Sequence, residues 1–246
     1  MRNIRLTVEY DGTAYSGWQR QPSGPSIQGT LEEAVAKMTG EPVTVIGAGR
    51  TDAGVHALNQ VANFKTRSAI PAANFLKGLN SLLPRDMAVK ALGDADPAFH
   101  ARFDARRKVY RYRILNGPVR PALLRNFAWH VRFPLDPARM EKGVSHFLGT
   151  LDFTSFCAAR CDTRGRVRTV TRAFLDFRKG GEILFTVEAD GFLRHMVRNM
   201  VGLLVEIGKG KACPDDVPAI LAAKDRRRAA MTAPPQGLFL MEVSYE

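Results

Sequence analysis

One run of eleven residues concentrates side chains that can move protons or attack carbon. It reads Gly-Ala-Gly-Arg-Thr-Asp-Ala-Gly-Val-His-Ala, from Gly47 to Ala57. Glycines at 47, 49 and 54 permit a tight backbone and close approach of another chain; between them lie Arg50, Thr51 and Asp52. An arginine beside a carboxylate favours the ionised form. An ionised, oriented carboxylate suits nucleophilic attack or proton abstraction at a sugar carbon. Eight such residues in isolation read more readily as a Gly-rich turn with a surface Arg/Asp pair. The run is not a phosphate-binding loop, because it has neither a Gly-Lys-Ser/Thr ending nor G-x-G-x-x-G spacing.

Two further clusters carry chemistry. Arg106, Arg107, Lys108, Arg111 and Arg113 accompany Tyr110 and Tyr112. Any two-faced strand shows such alternation, yet this density of arginine exceeds what solubility requires. Aromatics among arginines suit stacking on bases beside phosphate contacts. Between Leu193 and Ile207, apolar Met196, Val197, Met200, Val201, Leu204 and Ile207 mark a buried helical stripe. Arg194 and Arg198, four apart, are expected on one face of that helix. His195 reads as structural or RNA-adjacent. The basic run from Lys224 to Arg228 fits a solvated face or phosphate contacts equally well.

The elements that must hold these clusters follow from periodicity. Strands are expected over Arg5 to Tyr10, Val43 to Ile46, Val61 to Thr66, Met87 to Leu92, Lys108 to Leu115, Phe127 to Phe133, Val167 to Phe177, Ile183 to Ala189 and Leu238 to Tyr245. Helices are expected from Ser26 to Met38, after Pro71, from Asp136-Pro137 to Leu148, from Leu193 to Ile207 and from Pro214 to Ala223. Thr30 and Glu33 have capping-box spacing, but Ser26 is as good an N-cap. The simplest organisation is two similar α+β halves, residues 1–100 and 101–246, in two sheets or one.

Charge separates these halves. Residues 1–100 hold 10 basic and 9 acidic side chains, and residues 101–246 hold 26 and 15, for a net +12 over 246 residues. Arginine suits bidentate phosphate contacts, so nucleic acid leads as the partner. No basic amphipathic terminal helix favours a membrane surface. No apolar run approaches membrane-spanning length, and Met1 to Tyr10 lacks a signal peptide's apolar core, so the expected location is the cytoplasm. Three cysteines, with Cys157 and Cys161 spaced C-x3-C and Cys213 far along, argue against a disulfide framework. Reduced cysteines in or near the core are expected. The five histidines are scattered singly, and no metal site is expected.

Residues 47–57 closely resemble the catalytic motif of the tRNA pseudouridine synthase I (TruA) family. Five further blocks are similar to that family's in its own order: residues 9–22 (Glu-Tyr-Asp-Gly-Thr-Ala-Tyr-Ser-Gly-Trp-Gln-Arg-Gln-Pro), Phe99 to Phe103 with Tyr110-Arg-Tyr112, Asp152 to Phe156, Phe192 to Asn199, and Gly237 to Leu240. The resemblance implies an α+β fold of two α/β-sandwich halves. It further implies a central, mainly antiparallel sheet flanked by helices, an active-site cleft between the halves, and a homodimer. It implies isomerisation of uridine to pseudouridine at positions 38, 39 and 40 of the tRNA anticodon arm, with no cofactor and no metal. Asp52 matches the nucleophile and Arg50 the motif arginine. Arg198 matches the helix arginine that pairs with the catalytic aspartate, Tyr110 the active-site tyrosine, and Leu238 the pocket leucine. Asp104 departs from the family's usual small hydroxyl residue and adds a negative charge near the expected RNA path.

The chemistry implied is self-contained. The N1–C1′ bond breaks, the uracil turns, and C5 joins C1′, with no atom or electron gained. Asp52 has three possible routes: attack at C1′, attack at the base, or removal of the 2′ proton. Two other readings stand beside this one. A non-catalytic RNA-binding protein explains the charge and the tyrosines but leaves the Gly-caged Asp52 without a job. A nucleosidase would let water capture the sugar instead of C5.

Overall fold

Alternation at the N-terminus buries Ile4, Leu6, Val8 and Tyr10 on one side of strand β1, Arg2–Tyr10. The computed structural model describes residues 1–22, 24–158 and 165–246. Among them the order continues α1 (Ile27–Thr39), β2 (Ile46–Gly47), β3 (His56–Thr66), α2 (Ala72–Leu82) and β4 (Met87–Ala95). Then come β5 (Arg107–Asn116), β6 (Trp129–Val131), α3 (Pro137–Ser145), β7 (Gly149–Asp152), β8 (Val167–Phe177) and β9 (Glu182–Ala189). Helices α4 (Met196–Gly208) and α5 (Val217–Ala223) and strand β10 (Leu238–Ser244) complete the list. The protein is mixed α+β, and its strand pairs are mainly antiparallel. No described helix is long and apolar enough to cross a membrane.

The first unit comprises residues 1–106 and 239–246. A division at residue 100 leaves the final strand with the second half, whereas residues 239–246 group with the first. β1 pairs antiparallel with both β3 and β4. β10 runs parallel to β3, with Phe239 opposite His56 and Leu240 opposite Ala57. Helix α1 begins where the Ser26 hydroxyl accepts from the Gly29 N–H, so Ser26 is the N-cap and Thr30 is not. The strand expected from Val43 shrinks to β2 for a specific reason. The Val45 N–H donates to buried Glu32 and its C=O accepts from Gln28, so α1 side chains take the groups a ladder would use.

The second unit comprises residues 107–238. β5 and β8 flank β9, β7 pairs with β8, all antiparallel, and β6 runs parallel to β5. β6 is shorter than expected because Asn116 Nδ2 caps its end, donating to the Val131 and Phe133 carbonyls. Asp136 caps α3 with proline in the first turn, as its sequence predicts. Phe147, Phe153 and Phe156 are fully buried, and both Phe147 and Phe153 pack edge-on against Phe156. Burying a ring of this size contributes roughly 1.5–3 kcal/mol.

Two expectations fail here. Helix α4 starts at Met196, because His195 adopts a left-handed backbone with φ 65°. Arg194 therefore precedes the helix and shares no helical face with Arg198. Cys157 is buried and disulfide-bonded rather than reduced, while Cys213 is free and exposed. Cys161 lies outside the described residues.

Candidate active site

Asp52 sits in an anchored loop. The Ala48 N–H donates to the Val61 carbonyl at 2.8 Å, and Gln60 Nε2 donates to the Gly49 carbonyl at 2.8 Å. Thr51 is held twice: its carbonyl accepts from the Trp18 N–H at 3.0 Å, and its hydroxyl shares a 2.8 Å hydrogen bond with the Tyr10 hydroxyl. Burial pushes the Tyr10 phenol pKa up, and the Thr51 bond opposes this only partly, so Tyr10 stays neutral. The Val55 N–H closes the turn onto the Asp52 carbonyl at 3.1 Å. Thr51 is buried, Asp52 half-buried and Arg50 exposed.

The pins on Thr51 trace back to α1. The Ile27 N–H donates to the Gly17 carbonyl and the Gln28 N–H to the Trp18 carbonyl, so the first turn of the helix holds residues 17–18. Gly17 has φ +101°, and a Cβ there would stand 2.6 Å from the Thr51 carbonyl oxygen. Only glycine lets this chain pass so close. The stretch from Glu9 to Pro22 thus forms the support of the Asp52 loop. Periodicity does not show that role; the family-like block over residues 9–22 marks the stretch without saying what it supports. Next to the loop, His56 stacks on Phe239 with centroids 4.8 Å apart and accepts at Nδ1 from the Gly12 N–H.

In the second unit, Arg198 lies on the first turn of α4, and Tyr110 and Tyr112 on β5. Arg198 Nε donates to the Ala233 carbonyl at 2.8 Å, and the Ala233 N–H donates back to the Arg198 carbonyl at 3.0 Å. Tyr112 donates its hydroxyl to the Pro234 carbonyl at 2.7 Å. Burial pushes the Tyr112 phenol up, and the Arg198 charge offsets this only in part. A Cβ on Gly237 would stand 2.6 Å from the Tyr112 ring, so glycine is needed to close residues 234–238 over that tyrosine. Leu238 follows, buried. Tyr110 is 7% exposed, with its ring edge-on to Phe192 at 5.0 Å. Arg198, Tyr112 and the stretch leading to Leu238 are thereby brought together.

The arginines of β5 are not all available to phosphate. Arg113 pairs with Glu182 at 3.0 Å and Arg107 approaches Glu188 at 3.8 Å, both across to β9. The basic run from Lys224 also resolves into separate parts. Lys224 pairs with Asp152, Arg227 pairs with Asp225, and Arg228 is exposed. Arg226 turns inward. It donates to the Ala229 carbonyl, Asn199 Oδ1 and Thr232 Oγ1, each at 3.0 Å, and so fixes the segment that reaches Ala233. Burial lowers its pKa. Arg226→Met keeps the stem but removes the donor of the Ala229 carbonyl and of Thr232 Oγ1, while Asn199 Oδ1 still accepts from the Thr232 hydroxyl, and should cost about 1–3 kcal/mol. Arg227→Met, on the exposed side, should leave the denaturation midpoint unchanged. Equal midpoints for the two variants would show that Arg226 is no strut.

Among the described residues, no group of three or more histidine, cysteine, aspartate or glutamate side chains could hold a metal ion.

The family model described as tRNA pseudouridine synthase matches residues 6–104 and 144–246. A tRNA pseudouridine synthase A of Caldicellulosiruptor bescii is 49% identical over 245 residues, covering 100% of both chains. Its counterparts from Geotalea uraniireducens and Acetivibrio thermocellus are 48% and 46% identical, again covering 100% of both chains. Among solved structures, a Cbf5–Nop10–Gar1 complex aligns at a TM-score of 0.38 and 15% identity, over 99% of this chain and 58% of that one. That likeness is too slight to carry an argument.

Proposed function

The chain belongs to the tRNA pseudouridine synthase family, and we propose that it isomerises uridine to pseudouridine at positions 38, 39 and 40 of the tRNA anticodon stem-loop, with Asp52 as the catalytic carboxylate. The observation that supports this most is the build of the Asp52 loop. Its flanking backbone is pinned at Gly49, at Thr51 and across the Asp52–Val55 turn. Fixing a reactive carboxylate before substrate arrives is how positioning lowers a barrier.

The remaining roles follow the family motif. Arg198 is the arginine that the family motif pairs with the catalytic aspartate and serves to orient Asp52, and the exposed Arg50 contacts the RNA. Tyr110 stacks on the uracil, and Leu238 keeps the detached base from leaving. The reaction balances without an added group: the sugar loses its bond to N1 and gains one to C5, and the C5 proton is replaced by one at N1. We assign no cofactor. A homodimer working in the cytoplasm completes the proposal.

The test is direct. Purified protein is incubated with tRNA that lacks pseudouridine in the anticodon arm, and the product is mapped by position. Free uracil in place of pseudouridine would mean a nucleosidase, and binding without product a non-catalytic RNA-binding protein. In the same preparation, tRNA affinity should fall steeply with salt, because the 101–246 portion has 26 basic against 15 acidic residues. A flat response would show that those arginines are spent on internal pairs such as Arg113–Glu182.

A further inference from the structure

A second feature of the first unit is built as firmly as the Asp52 loop, yet it presents a hydrophobic ring to solvent. Residues 96–106 form a tied-down loop between β4 and β5. Buried Asn3 donates to the Asp96 and Phe99 carbonyls at 2.8 Å each. Buried Asn63 accepts from the Ala101 N–H at 2.9 Å, and Tyr245 donates to the Ala101 carbonyl at 2.8 Å. Arg5 lies over the Phe99 and Tyr245 rings, and the Arg106 N–H donates to the Ser244 carbonyl.

At the tip the backbone tightens again. The Asp104 carboxylate accepts from the His100 N–H at 2.8 Å, and the Asp104 N–H donates to the His100 carbonyl. His100 Nδ1 accepts from the Arg102 and Phe103 N–H groups, both at 3.2 Å. The imidazole lies against the Phe103 ring, with centroids 4.2 Å apart and an interplanar angle of 29°. The Arg102 guanidinium stands 5.7 Å from the same ring. Despite this support, Phe103 is 76% exposed.

We propose that Phe103, stacked on His100 and held by the Asp104 turn, is a platform on which an unpaired base of the RNA substrate stacks. An isolated exposed aromatic needs no explanation. This one has one face backed by the His100 ring, the exposed Arg102 guanidinium near it, and the exposed Arg106 three residues on. Those features together suit base stacking with phosphate contact. Asp104 loses its apparent conflict with RNA here, since its carboxylate is used to fold the turn.

Distance sets the kind of contact. Asn63, which anchors the loop, lies on the order of 20 Å along β3 from His56, at about 3.3 Å per residue. The platform therefore meets nucleotides away from the target uridine and acts on affinity rather than on chemistry.

This inference rests on the reading of RNA as substrate, and the experiment separates the two. Wild type, Phe103→Ala and Phe103→Trp are compared in single-turnover pseudouridine formation on tRNA, across protein concentrations and at several salt concentrations. Phe103→Ala should bind about 10- to 100-fold more weakly, the range that base stacking supplies. Its maximal rate should match wild type, with the same slope of log affinity against log salt, because no phosphate contact is removed. Phe103→Trp should restore the affinity. The ring is exposed, so both variants should keep the wild-type melting temperature. Unchanged affinity in Phe103→Ala, or failure of Phe103→Trp to restore it, overturns the platform. A wild type that forms no pseudouridine overturns the functional reading instead.

Discussion

Asp52→Asn is expected to fold as the parent does, bind tRNA within a few-fold of it, and form no pseudouridine. The amide has the shape of the carboxylate, and the backbone and Thr51 hydrogen bonds that hold the loop do not depend on its charge. The loop is held by the Thr51 hydroxyl and carbonyl, the Gly49 carbonyl and the Asp52 carbonyl itself. What the substitution removes is a group able to attack carbon or take a proton. Losing an essential group of that kind commonly costs a thousand-fold or more. Single-turnover rate and tRNA affinity are measured side by side. Residual activity above about one part in a thousand, free of contaminating wild type, sinks the assignment of Asp52.

Arg198→Met should lower the single-turnover rate by about 100-fold, the scale of removing one preorganised electrostatic group. Stability should change far less. The methionine retains helix propensity and much of the apolar stem. The loss of the Nε bond to the Ala233 carbonyl should cost about 1 kcal/mol. The return bond, from the Ala233 N–H to the Arg198 backbone, is unaffected. Arg198→Lys restores the charge without the planar fork and should give an intermediate rate. A methionine variant that melts like the parent and turns over at the parental rate would reduce Arg198 to a latch for residues 229–233.

The elements that hold these groups were legible where local chemistry decides them. Ser26 before an apolar 3.6-residue period and Asp136-Pro137 before another announce α1 and α3, because caps act within one turn. Legibility fails where a distant partner decides. Val45 reads as strand until Glu32 and Gln28 take its backbone groups. The apolar stripe of α4 runs back to Leu193, yet His195 turns left-handed and starts the helix later. β7 is four residues long and has too few alternations to register. Asp52 and Arg198 stood out by motif, since the chemistry needs those residue types. Thr51, Tyr10 and Trp18 lie in family-like blocks, but their mutual pinning was not legible, since a hydrogen bond between distant segments leaves no spacing rule in the chain. Arg226 was hidden in plain charge: among four cations and one anion in residues 224–228, only the fold shows which one turns inward.

The pairing of β10 with β3 has a consequence for the order in which the molecule assembles. Phe239 stacks on His56 beside the Asp52 loop, and Ser244 and Tyr245 tie the loop that carries Phe103. These partners are made more than a hundred residues after the strands they join. On a ribosome, the first unit must wait with the edge of β3 near His56 and Ala57 unpaired by β10 while residues 107–238 emerge, and an unpaired strand edge is an aggregation hazard. Closing so long a loop also carries an entropic cost and slows folding. A chain interrupted before residue 239 would thus leave the ribosome with Asp52 translated but without the Phe239 stack on His56 and the Ser244 and Tyr245 ties to residues 101–106.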